Sequence, residues 1–214
     1  MEKNVSPKLT ELIFDAETFG QSVKYAAIIN CSFLLYDKER FLDKPYSYDE
    51  LLAEVFTLKL DVQQQVKDGY RIEPSSIDFW KGLPKEAQLQ LVPSKKDLTY
   101  AQFCDILIEQ LKGHKIDYWW SRSNTFDPIL LWRIFEDENR LNDLNNKLKF
   151  WKIRDIRTYI DAKTDFKLDK NGFQPLPDSE WKRKFVEHDS KHDIVADVLR
   201  IQKIIRLENE LSDN

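Results

Sequence analysis

The feature that most constrains this chain is a pair of β-forming segments near its start. ELIFDAE (11–17) is a short apolar run that ends in acids, and SVKYAAIINCSFLLYD (22–37) is long and rich in β-formers, with TFGQ as the turn between them. Such a pair reads as a hairpin that opens a sheet. VFTLKL (55–60) then alternates apolar and polar residues over a strand's length and adds a third strand. The apolar faces of a sheet need covering layers, so helices are expected downstream.

They are found there. Residues 75–92 include SSIDFWKGLPKEAQLQL, where Ser75 or Ser76 can cap a short helix and Pro84 stands where a second can begin. TYAQFCDILIEQLKG (99–113) carries Phe103, Ile106, Leu107, Gln110 and Leu111 at helical spacing, with Gly113 as a stop. IDYWWSRS (116–123) reads as a strand, and DPILLWRIFEDENRLN (127–142) as one helix with Pro128 in its first turn. From Thr164 to Lys184 the chain is polar and turn-rich, which predicts a long surface loop. DSKHDIVADVLRIQKIIRLENEL (189–211) closes the chain as an amphipathic helix. The order predicts an α/β sandwich on a mixed sheet with the first strand central.

At 214 residues, 42% hydrophobic and 33% charged, the chain can bury a full core, and residues 1–214 are expected to form one domain. A net charge of −4 argues against a protein that coats nucleic acid indiscriminately, since that binding rests on many phosphate neutralisations. It does not exclude a nuclease. Carboxylates that hold cations are themselves negative, and the cations supply the local positive charge. No run approaches the ~18–20 apolar residues of a spanning helix, and MEKNVSPKLTEL lacks a signal-peptide core, so no membrane association and a cytoplasmic address are expected. Cys31 and Cys104 lie in apolar segments and read as small buried hydrophobes.

Asp15 and Glu17 end the first strand, and because side chains alternate with period two they project from one face. A DxE alone is a weak signal and reads first as a solvated strand end. Two further motifs change its meaning. DAETFG (15–20) resembles motif I of the DEDD, or DnaQ-like, exonucleases, and TFDPILL (125–131) resembles motif II, with its acid at a helix start. HDSKHD (188–193) has the H-x4-D spacing of the DEDDh branch. At 100° per residue the two would lie about 140° apart on one helix, so His188 must precede the helix to share a pocket with Asp193. WSRSNTFD (120–127), FWKIRDIRT (150–158) and FVEHDSKHD (185–193) are similar to segments of the RNase T-like exonucleases, including those of T-even bacteriophages. Leu83 stands where that family is expected to carry Gln.

The resemblance implies a ribonuclease H-like fold, a mixed five-stranded sheet flanked by helices, and a metal-dependent 3′–5′ exonuclease. Its partner would be single-stranded DNA or RNA with a free 3′ end, and protein partners stay open. Two divalent cations, Mg²⁺ or Mn²⁺, would sit on Asp15, Glu17, Asp127 and Asp193. Asp15 would bridge both, Glu17 and Asp193 would hold the one carrying the water, and Asp127 would support the other. His188, an imidazole with an ordinary pKa of ~6.5, would take the proton of that water.

Thr18 and Phe19 follow the acids as expected substrate contacts, and Phe19 stands where the family often stacks a ring on the terminal base. A turn hydrophobe tucked into the core is its other reading. Of Trp119 and Trp120, one is expected in the core and the other, Trp120, toward the pocket. Arg122 is the leading phosphate contact, with Arg154 and Arg157 behind it. His192 and His114 read as surface residues, and Asp155 as an N-cap or as a residue orienting the site. Two rivals remain: an exoribonuclease that trims short RNAs or RNA tails, and a non-catalytic nucleic-acid-binding module on the same fold.

Overall fold

The computed structural model describes residues 9–163 and 184–212. The loop expected from Thr164 to Lys184 therefore lies, but for Lys184, outside the described residues. Strand β1 (Leu9–Thr18) is the centre of a five-stranded sheet in the order β3-β2-β1-β4-β5. It pairs antiparallel with β2 (Ile28–Tyr36), which pairs antiparallel with β3 (Phe56–Lys59). On its other side β4 (Lys115–Ser121) and β5 (Ile153–Asp155) run parallel. Parallel neighbours need long crossovers, and helices supply them.

Alternation along β1 sorts its side chains onto two cores. Leu12, Phe14 and Ala16 pack with Phe33, Trp119 and the helices α6 (Tyr100–Gln110), α7 (Asp127–Asp137) and α8 (Leu141–Lys147). Ile13 joins Leu34, Tyr36 and Trp120 on the opposite face, under α1 (Arg40–Asp43), α2 (Tyr48–Glu54), α9 (Ile156–Lys163) and α10 (Ser190–Ser212). Cys31 and Cys104 are both buried and free, as their apolar segments require. Among the described residues no helix is long and apolar enough to cross a membrane.

Several boundaries differ from expectation, each for a local reason. The second strand begins at Ile28 rather than near Ser22. Residues 19–27 are instead pinned as a loop, with Glu73 accepting from the amides of Gln21 (3.1 Å) and Ser22 (3.3 Å) and Arg133 donating to the carbonyls of Val23 (2.7 Å) and Ala26 (2.8 Å). Short helices α1 and α2 interrupt the meander before β3; α3 (Val62–Lys67) follows it. Helix α4 (Pro74–Gly82) starts on Pro74 after Glu73, not on a serine cap, and α5 (Lys85–Gln88) follows Pro84. The helix expected over 127–142 is two, because Asn139 turns left-handed at φ 56° and ends α7. Asn adopts that conformation more readily than most residues, which makes it a natural helix stop.

Candidate active site

Asp15 and Glu17 share the parity of Ile13, so they project from the face of β1 that α10 covers. Asp193 lies in the first turn of α10, and one carboxylate oxygen from each of these three residues falls within 4.8 Å of the others. Asp127 reaches the same cavity from the first turn of α7 and is 4% exposed. The cavity measures about 950 Å³, with Val23, Phe126 and Phe185 as its apolar wall and Arg157 and His188 at its rim.

Crowding and burial set the charge state. Asp15 is pushed up to about 7, chiefly by burial and then by Asp197, against the opposing pull of Arg122 and Arg157. Burial likewise raises Glu17, Asp127 and Asp193, and the Asp15 charge adds to each. The amides of Ala16 and Asp127 itself offset part of this at Asp127. Acids that resist ionisation while converging on one point leave a gap in compensation that a cation would close. Oxygen donors at this separation suit a hard divalent ion, so the residues present fit a metal site.

His188 precedes α10, as the H-x4-D spacing requires, and holds a left-handed backbone at φ 60°. Its carbonyl accepts from Gln90 Nε2 at 2.7 Å, and its ring meets the Phe79 ring edge-on at 4.9 Å. Gln90 in turn accepts from Asn30 (2.6 Å), which accepts from Ser190 (2.7 Å), which bonds Ser32 (2.7 Å). The histidine's backbone is thus tied to β2 and to the start of α10 at once. The sequence gives no sign of this chain of contacts.

Comparison with known proteins decides the family. The profile of the 3′–5′ exoribonuclease Rv2179c-like domain matches residues 10–204. The chain belongs to this family. It is a 3′–5′ exonuclease, and the family implies use of a divalent metal, with an acidic cluster present to hold it. The exonuclease is 31% identical to an exodeoxyribonuclease of Enterobacteria phage T4, across 95% of this chain and 92% of that one. In fold it resembles E. coli exonuclease I in complex with a dT13 oligonucleotide (TM-score 0.60, 16% identity, 96% of this chain and 43% of that one). A product-bound exonuclease I gives TM-score 0.58 at 18% identity, over 96% of this chain and 45% of that one. The exonuclease spans less than half of those chains, and the likeness is one of fold: a mixed five-stranded, ribonuclease H-like sheet flanked by helices.

The remaining expected site residues of the exonuclease divide. Trp120 does not reach the cavity: it is 8% exposed, its indole N–H donates to Glu11, and its ring meets Tyr159 edge-on at 5.4 Å. Both sheet faces are roofed by helices, so both parities of β4 find a core. Arg122 lines the cavity, but its guanidinium is held by buried Asp197, with Nε 3.0 Å from Oδ2, rather than offered to a phosphate. Phe19 is half-buried and lines a smaller cleft with Ile29, Leu60 and Leu91, not the cavity of the acids. Thr18 Oγ1 donates to the carbonyl of Gly20 at 2.6 Å, closing the turn after the acids.

Arg154 packs over the Tyr118 ring at 4.2 Å, while exposed Arg157 does line the cavity. His192 is not a surface residue; it is 7% exposed and hydrogen-bonded through Nδ1 to the Tyr48 hydroxyl. His114 is partly buried, 3.4 Å from Thr10 Oγ1. Asp155 caps α9, its Oδ1 accepting from the amide of Thr158 (2.8 Å), and its Oδ2 accepts from the amide of Asn124 (3.1 Å), three residues ahead of Asp127. Asp197 was missed, although its place four residues beyond Asp193 puts it on the same helix face.

Proposed function

We propose that this exonuclease removes nucleoside 5′-monophosphates from the free 3′ end of single strands, DNA in preference to RNA, with two Mg²⁺ or Mn²⁺ ions and His188 as general base. The convergence of Asp15, Glu17 and Asp193 within 4.8 Å, in one cavity with Asp127 and His188, carries the reading. When bound, such cations activate a water, polarise the phosphate and take up charge on the leaving 3′ oxygen. Asp15, Glu17 and Asp193 provide one group of oxygen ligands, and Asp127 lies in the same cavity to support a second position. His188, held by Gln90 and Phe79, receives the proton of the attacking water on an imidazole nitrogen. Arg157 meets the phosphate at the rim, and Phe126, Val23 and Phe185 face the base and sugar with apolar surface.

Preference for DNA is supported by the T4 relative, named an exodeoxyribonuclease, and by the oligonucleotide in the exonuclease I complex. The second reading, an exoribonuclease, has the family description in its favour. A non-catalytic module has nothing to gain from crowding four carboxylates into one cavity. The same proposal takes residues 1–214 as one domain with a cytoplasmic address. Strands of DNA and RNA labelled at either end, incubated with Mn²⁺ or Mg²⁺, test it. A ladder of 5′-labelled products shortening from the 3′ end, faster for DNA, is expected. Faster loss of RNA would select the second reading, and turnover undiminished in EDTA would refute the metal.

A further inference from the structure

Two aromatic side chains stand out in water on the far edge of the sheet. Phe150 and Trp151 are 61% and 60% exposed, meet edge-on at 5.0 Å, and occupy a single 3-10 turn (Phe150–Lys152) leading into edge strand β5. Burying rings of this size is strongly favourable, so leaving both exposed calls for an occupant. The turn that carries them is rigidly held. Trp119 Nε1 donates to the carbonyl of Lys149 at 2.8 Å, and Lys152 Nζ to that of Ile116 at 3.1 Å.

Charge identifies the occupant. The segment KLKFWKIR (147–154) interleaves four cations with the two rings in a chain whose net charge is −4. Among the described residues Lys147 and Lys149 carry no ion pair, and Lys149 Nζ lies 6.0 Å from the Trp151 ring. Cations beside exposed rings match a strand of phosphates and bases. A second copy of this chain fits poorly, because a two-fold contact would set the same cations against themselves.

Register gives the distance to the catalytic acids. Ile13 is level with Trp120, and Trp120 with Arg154, so Asp15 lies two residues beyond that level and Trp151 three short of it. With ~3.3 Å per residue along the strands, ~2 Å per residue in the 3-10 turn and two strand spacings of ~4.8 Å across, the separation is roughly 17 Å. That is about five nucleotides stacked at ~3.4 Å each. Arg154 and then Arg157 follow along the same segment toward the cavity.

We propose that Phe150 and Trp151, with Lys147 and Lys149, form a second binding site that stacks and holds the substrate strand several nucleotides upstream of the 3′ end being cleaved. The site makes affinity depend on strand length while the chemistry stays at the cavity. It rests on the exonuclease activity and not on the choice of His188 as base.

The test compares the Phe150→Ala/Trp151→Ala double variant with the parent protein on labelled oligo(dT) longer than about sixteen nucleotides and on a thymidine dinucleotide. Binding to the long strand in EDTA should weaken at least ~5-fold, given the energy of one stacked base. Dinucleotide hydrolysis with Mn²⁺ should be unchanged, and Trp151→Phe should retain most of the long-strand affinity. Lys147→Gln/Lys149→Gln should flatten the plot of log affinity against log salt by ~1.4, two phosphate contacts' worth for a single strand. Unchanged long-strand binding, or equal losses on long strand and dinucleotide, would overturn the proposal. So would a drop in solution mass on removing the rings, which would mark a self-association surface.

Discussion

Replacing Asp15 by Asn should stabilise the metal-free protein at neutral pH while destroying its activity. Folded, Asp15 keeps its proton up to about 7, whereas the unfolded chain releases it near 3.8. Folding therefore takes up a proton between these values, and the contribution of Asp15 to stability falls as pH rises through that window. Above it the loss amounts to ~4 kcal/mol at 1.36 kcal/mol per pH unit. Asn keeps the shape of the neutral carboxyl and carries no charge. Its presence also removes the Asp15 repulsion that raises Glu17, Asp127 and Asp193. For a chain of this size ~4 kcal/mol corresponds to a melting temperature higher by on the order of 10 °C. Thermal unfolding of both proteins in EDTA from pH 4 to pH 8 is the assay. The gap should be widest at pH 8 and close toward pH 4. Adding Mn²⁺ at pH 8 should stabilise the parent far more than the variant, because the cation binds the folded carboxylates. A variant that melts below the parent at pH 8, or a gap that ignores pH, would refute the account of crowded, buried acids.

Other substitutions separate chemistry from support. His188→Ala should cut single-turnover rates ~10²–10⁴-fold with little change in melting temperature, since its side chain is 39% exposed. His192→Ala, which removes the buried hydrogen bond between His192 Nδ1 and the Tyr48 hydroxyl, should melt several degrees lower yet cleave at near-parent rates per folded molecule. Arg122→Ala leaves Asp197 buried with Arg200 alone and should cost ~3–5 kcal/mol in chemical denaturation, more than loss of a surface phosphate contact would. Phe19→Ala should lower the melting temperature more than the rate; a base-independent rate loss of ~5- to 150-fold in a stable protein would restore its stacking role.

The sheet was legible because its signals are local. ELIFDAE carries apolar residues on both parities, Leu12, Phe14 and Ala16 on one and Ile13 on the other, and the two cores on either side of β1 show why: a central strand is roofed by helices on both faces. The same fact explains Trp119 and Trp120, where alternation separates one core from another and not core from pocket. Helices α1 and α2 left a fainter trace, as elements of four and seven residues fixed largely by their packing on α10. The break at Asn139 depends on one residue adopting a left-handed turn inside an otherwise helical pattern.

The acidic cluster was legible for a different reason: its spacing is tied to chain geometry. Asp15 and Glu17 must share a face of a strand, and His188 must leave the helix before Asp193 enters it. Their support was not legible. Asn30, Gln90, His188 and Ser190 meet across separations of up to 160 positions, and amides and hydroxyls of this kind are common on any surface. Asp197 is the exception, since a second acid one turn past Asp193 is visible in the sequence. Its meaning comes only from the fold, where it binds Arg122 and Arg200 beneath the cluster. An acid placed there raises Asp15 and Asp193 while the two arginines it holds lower Asp193. After burial itself, Asp197 and its two arginines therefore adjust how much repulsion is left for a cation to relieve.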